Sequence, residues 1–155
     1  MSSDSSSSSK PHLPSSYVIP EKWEPTEVGG AFSKINRATA GARFEADLPK
    51  GDHPFQLYTL NTPNGVAASW MLEELATARG VEYDGWRVSI DGDQFSSGFV
   101  AVNPNSKIPA MVHVRDGGEE VNVFETSHIL LYLAEAHDNF LLPSSPAERA
   151  ETLNW

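Results

Sequence analysis

Cysteine is absent from the 155-residue sequence. Disulfides and thiolate metal sites are excluded, and so is a nucleophilic thiol belonging to the protein itself. Basic residues are scarce, 11 Lys and Arg against 21 Asp and Glu, for a formal charge of −10. Nucleic acid and anionic membrane surfaces are both gripped through basic patches, so neither is an expected partner. Long apolar runs are lacking too: none approaches the roughly 18 residues that suggest a membrane span. The start, "MSSDSSSSSKPH", lacks the basic-then-apolar pattern of a secretory signal. The expected compartment is the cytoplasm. Apolar residues, four Trp among them, make up 39% of the sequence, enough for the core of one ordinary domain.

Organisation changes along the chain. Residues 1–30 are rich in Ser and Pro and bury too little apolar surface to offset chain entropy, so a disordered N-terminal tail is expected. Residues 31–54 carry scattered apolar residues without a period and read as an extended arm, lying on the domain or on a partner subunit. From Phe55 the pattern sharpens. "PFQLYTL" (54–60) predicts a strand over 55–60, and Met71, Leu72, Leu75 and Ala78 recur at helical spacing over about 65–79, with Gly80 placed to stop that helix. "EYDGWRVSI" (82–90) reads as a second strand, parallel to the first because a helix joins them. One short helix is expected near 96–102. "AMVHVRD" and "EEVNVFE" flank Asp116–Gly117–Gly118 as a hairpin, and "TSHILLYLAEAHD" predicts a helix over 126–138. A βαβ unit followed by a ββα unit is the outline of an α/β, thioredoxin-like fold over residues 55–142. A linker and the start of a further helix occupy 143–155.

Ligands in such sheets collect beyond the carboxyl ends of parallel strands, opposite helix N-termini. Three segments converge there: "NTPNG" (61–65), "SKIPA" (106–110) and "FETSH" (124–128). Thr62 and Asn64 offer hydrogen bonds beside a helix N-terminus that favours an anion. Pro109 is a candidate cis-proline that would leave the backbone of Ile108 open to a ligand's main chain. Glu125 and Thr126 could grip the ammonium and carboxylate of an amino-acid head group. Taken singly, each has a plainer reading: a cap, a turn, a strand start. Only their co-occurrence on this frame favours a site. His113, His128 and His137 do not form a metal set, since His128 and His137 share no helix face and no carboxylate completes the group; no metal is expected. Tyr58 lies inside a strand and reads as core.

With "NTPNG", "NPNSKIPA" and "FETSHILLYLAE" in place, the chain resembles the N-terminal domain of glutathione transferases. More narrowly, "GGAFSKINR", "LNTPNG", "MLEE", "DGDQFSSGFVAVNPNSKIPA" and "ILLYLAE" look like the Nu-class, YghU-type glutathione-dependent disulfide-bond oxidoreductases. The resemblance implies that Thr62 and Asn64 sit by the glutathione sulfur and that Ile108, before cis-Pro109, pairs with the cysteinyl backbone. It places Glu125 and Thr126 at the γ-glutamyl end, and Gln94 and Lys107 near the ligand. Glutathione would be co-substrate, small disulfides the substrates, and a homodimer the candidate assembly. Members bind two glutathione molecules per site; Val66 and Ala67 stand here where relatives carry polar residues. The resemblance implies a helical C-terminal domain whose absence here is an expectation, since "ERAETLNW" (148–155) matches only the start of its first helix. A disulfide reductase without cysteine must borrow its thiolate from a ligand. The competing expectation is a thioredoxin-like binding module, or a transferase fragment, that keeps the ligand and lacks the chemistry.

Overall fold

The computed structural model describes residues 18, 21–22 and 41–154. The expected tail over 1–30, apart from those three residues, and the first part of the arm, 31–40, lie outside the described residues, as does Trp155.

Strand β1, Phe55–Thr59, has its first four residues buried. Helix α1 spans Pro63–Arg79. It begins two residues earlier than the sequence pattern suggests, so Asn64–Gly65 belongs to its first turn and forms no separate turn. Pro63 is tolerated at the first helical position, where its missing N–H would have had no partner and its fixed φ already suits the helix. Gly80, with φ at 68°, ends α1 and returns its N–H to the Ala76 carbonyl at 3.0 Å. Strand β2 is Tyr83–Arg87; a 3₁₀ turn, Asp93–Phe95, leads into the short helix α2, Ser97–Val102. Strands β3, Ala110–Val114, and β4, Glu120–Phe124, form the expected hairpin, followed by α3, Thr126–Ala136, and α4, Pro146–Asn154.

The sheet runs β2-β1-β3-β4, with β2 parallel to β1 and the other neighbours antiparallel. Alternation along the strands divides the core in two. Leu57, Met111 and Val123 face α1 and α3, where they meet Leu72, Leu75, Ile129 and Leu133. Tyr58, Ala110 and Val112 face the other way, against Phe99 and Val102 of α2. Each fully buried Leu contributes about 1.5–3 kcal/mol relative to its exposed state. A helix of six residues cannot cover that second face alone. Residues 41–54 supply the rest: Leu48 packs on the second core, and Tyr58 donates its hydroxyl to the Pro49 carbonyl at 2.8 Å. The described part of the arm therefore lies on its own domain.

Candidate functional site

Register alone builds the site's edge. Tyr58 pairs with Trp86 on one side and Ala110 on the other, and Ala110 pairs with Phe124. Just beyond that row the chain departs from the sheet at three places, Leu60–Thr62, Ile108–Pro109 and Glu125–Thr126. The three segments singled out in the sequence thus share one edge of the sheet.

Thr62 is the N-cap of α1: its extended backbone (φ −124°, ψ 161°) lets Oγ1 accept the Gly65 N–H at 3.1 Å. The plain reading of Thr62 as a cap is therefore correct as far as it goes. Capping uses the oxygen and leaves the hydroxyl proton to donate elsewhere. Asn64, in the first turn of α1, is exposed. Gly65 is buried, and a Cβ there would run into the Leu60 carbonyl and the Thr59 hydroxyl, so only glycine lets α1 start this close to β1.

Between α2 and β3 the chain makes a braced loop that the sequence reading did not assign. Asn103 is fully buried. Its Nδ2 donates to the Lys107 carbonyl at 2.6 Å, and its Oδ1 accepts the Asn105 N–H at 2.9 Å. Asn-Pro-Asn is a recognisable Asx-turn pattern, so this brace was within reach of sequence reasoning. The loop delivers Ile108, half-buried, to the start of β3, and the Ile108–Pro109 bond is cis. Lys107 is exposed on its outer side.

Glu125 departs from its plain reading. It occupies the cap position of α3 yet makes no side-chain cap bond, and its backbone is held at φ 70°, ψ 125°. A non-glycine residue there costs on the order of 1–3 kcal/mol, and such outliers collect where ligands are gripped. Its carboxylate instead accepts from Asn105 Nδ2 at 3.4 Å, which links the end of β4 to the braced loop. Thr126 opens α3 beside it and is half-buried. Gln94 faces inward: Nε2 donates to the Ile90 carbonyl at 2.7 Å, and Oε1 accepts the Gly92 N–H at 3.0 Å. Both ends of that amide shape the 90–95 loop, and the side chain is 1% exposed.

The perturbed titrations concentrate away from this edge, around the opposite row Tyr83–Phe55–His113–Val121. His53 donates its backbone N–H, and pairs its ring, to Asp84; that hydrogen bond raises its pKa. The backbone and ring of His53, then Gln56, hold Asp84 down to about 2. Burial lowers His113, which stacks on Phe55 at 4.2 Å and meets the Tyr132 hydroxyl at 2.7 Å, and burial likewise lowers His137. Burial, then the carboxylate of Glu73, pushes Tyr83 up to about 12. Burial also pushes Tyr58 up to about 12; committed to Pro49, its hydroxyl is a structural donor. Among the described residues no group of three or more His, Cys, Asp or Glu is placed to hold a metal ion, and no helix is long and apolar enough to cross a membrane.

The family model of the glutathione S-transferase N-terminal domain matches residues 53–135. The disulfide-bond oxidoreductase YghU of Escherichia coli is 54% identical over 138 residues, covering 86% of this chain and 46% of that protein. The glutathione transferase YghU of Streptococcus pneumoniae, solved in complex with glutathione, is 55% identical with a TM-score of 0.77, covering 90% of this chain and 54% of the other. A glutathione transferase family member of Pseudomonas fluorescens, solved with two glutathione molecules bound, is 42% identical with a TM-score of 0.58, over 66% of this chain and 44% of the other. The chain spans about half the length of the curated relatives it matches.

Proposed function

Because the chain belongs to the glutathione S-transferase N-terminal domain family, we propose that the edge formed by Thr62, Ile108 and Glu125 holds glutathione and presents its thiol for disulfide reduction. The observation that carries this reading is Glu125, forced to positive φ and turned from capping its own helix toward the loop that delivers Ile108. In this reading Glu125 takes the γ-glutamyl ammonium and Thr126 its carboxylate. The Ile108 backbone, ahead of Pro109, pairs with the cysteinyl unit, and Lys107 lies near the ligand's acidic ends. Gln94 acts by shaping its loop. A free thiol titrates near ~8.5. The hydroxyl proton of Thr62, the Asn64 amide and the N-terminus of α1 favour its thiolate.

The chemistry needs no protein sulfur. The glutathione thiolate attacks a disulfide, forms a mixed disulfide and expels one thiolate, which takes up a proton. A second glutathione thiolate attacks the mixed disulfide, giving oxidised glutathione and releasing the other substrate thiol. A small organic disulfide is the proposed substrate and the cytoplasm the proposed setting. Thr62 already serves as the N-cap of α1, and that favours a second reading, a glutathione-holding module without turnover. Titration with oxidised glutathione, followed by turnover of 2-hydroxyethyl disulfide, separates the two. Binding without turnover selects the module. Turnover that persists when Thr62→Ala and Asn64→Ala are combined sinks the assignment of the thiol site.

A further inference from the structure

We propose that residues 41–54 act as a strap that sets the ligand-holding edge, with Arg43 and Gly98 as its seat. This rests on the glutathione reading above. The match to the family's domain begins at residue 53, after nearly all of the strap. The strap runs beside the 3₁₀ turn and the first turn of α2. Arg43 N–H donates to the Phe95 carbonyl at 2.8 Å, and the Arg43 guanidinium lies 3.4 Å from the centroid of the Phe95 ring. Ser97 N–H donates to the Phe44 carbonyl and Gly98 N–H to the Ala46 carbonyl, both at 2.9 Å, while Ala46 N–H donates to Ser97 Oγ at 3.1 Å. The strap lies tight against α2 at Gly98, where a Cβ would stand 2.8 Å from both the Ala46 oxygen and the Leu48 nitrogen.

These contacts reach the site by a short path. An isolated helix as short as α2 has no stability of its own, so its position follows what packs on it. One face of α2 rests on the sheet through Phe99 and Val102, and the strap fixes its N-terminal end. Its C-terminal residue is followed directly by Asn103, the buried amide that closes the loop through Lys107 and Asn105. A shift of α2 therefore moves the Ile108 backbone and the Asn105 partner of Glu125 together. Arg43 is a positioning residue in this scheme and touches no ligand.

The test combines trypsin cleavage at Arg43 and Lys50, both within the strap, with calorimetric titration of reduced glutathione and thermal denaturation. Gly98→Ala is expected to speed cleavage at Lys50 and weaken glutathione binding. Arg43→Ala, a safeguard if Gly98→Ala fails to fold, is expected to weaken binding by about two- to five-fold, the equivalent of one exposed cation–π contact. Losing that contact should lower its melting temperature by about 2–5 °C, leaving the domain folded at the titration temperature, and Arg43→Lys should recover most of the affinity. A released strap with unchanged affinity overturns the proposal. So does a loss of affinity seen only at temperatures where the variant is partly unfolded, or a strap that stays protected in both variants. A wild-type chain that binds no glutathione overturns the glutathione reading, and the strap's role with it.

Discussion

Thr62 carries two loads that substitution can separate. Its oxygen caps α1, accepting the Gly65 N–H, and its hydroxyl proton is proposed to meet the glutathione sulfur. Thr62→Ala removes both. The cap contributes about 1 kcal/mol, which for a domain of this size lowers the melting temperature by about 3–5 °C. A hydrogen bond to a charged group contributes about 1.5–3 kcal/mol, so the pKa of the bound thiol should rise by about 1–2 units. Thr62→Ser keeps both functions. Thr62→Asp divides them, because a carboxylate caps as well as a hydroxyl but cannot donate and repels a thiolate. It should hold the melting temperature near wild type while raising the thiol pKa above that of Thr62→Ala. Circular dichroism melts and the ultraviolet absorbance of the thiolate against pH read the two effects separately. Thr62→Asp with a thiol as acidic as in wild type would refute the donor role. Thr62→Ala with an unchanged melting temperature would refute the cap.

Glu125→Gly should raise stability by about 1 kcal/mol, the relief of its backbone less the entropy of glycine, while glutathione affinity falls at least several-fold; calorimetry alongside melting checks the opposition. Gly65→Ala should destabilise by about 2 kcal/mol or more, because the new methyl meets fixed backbone at Leu60, and urea denaturation measures it. The His53–Asp84 pair stabilises the fold fully between the ordinary carboxylate and imidazole pKa values, 3.8 and 6.5. Above that window the contribution is lost as His53 deprotonates through its raised pKa, and below it as Asp84 protonates toward about 2. His113 and His137 have the opposite sign: their neutral forms are favoured in the fold, so their contribution is present above 6.5 and lost as pH falls. Imidazole NMR titrations should place His53 above 6.5 and the other two below it. Asp84→Asn should return His53 toward 6.5, and an unmoved His53 would contradict the pairing.

What the sequence made legible was whatever depends on local period. β1, α1, β2, the hairpin and α3 all follow from apolar spacing and from Gly80 and Asp116–Gly117–Gly118, because each element's pattern is set by the one face it buries. The start of α1 is less legible, because Asn64–Gly65 is a strong turn pair in isolation, yet Thr62 and Pro63 together form a stronger helix start. Residues 41–54 resisted reading for a different reason. Their partners, from Phe95 to Gly98 and at Asp84, are distant in sequence, and backbone bonding leaves no periodic trace. The edge itself was legible as a set of segments. The forced conformation of Glu125 and the inward turn of Gln94 were not: Glu125 answers to Asn105, twenty residues away, and Gln94 bonds to Ile90 and Gly92 of its own loop, which leaves no apolar period.

The strand order has a further consequence, for how the chain assembles. One contiguous stretch, 55–87, makes β1, α1 and β2, and a second, 110–136, makes β3, β4 and α3. Thr62 belongs to the first, while Glu125 and Thr126 belong to the second. Within the sheet the two stretches meet only where β1 pairs with β3, from Phe55↔His113 to Tyr58↔Ala110. The hairpin can close in about 1–10 µs, but zipping β1 to β3 must first close a much longer loop. Neither stretch alone presents both sides of the edge, so the edge comes into being only once β1 pairs with β3. A small molecule that touches both sides acts as a staple across that seam, adding about 2.7 kcal/mol at a hundredfold excess over its Kd. Occupancy and completion of the fold then become one equilibrium, and the rate of refolding need not change for the yield of folded chain to rise.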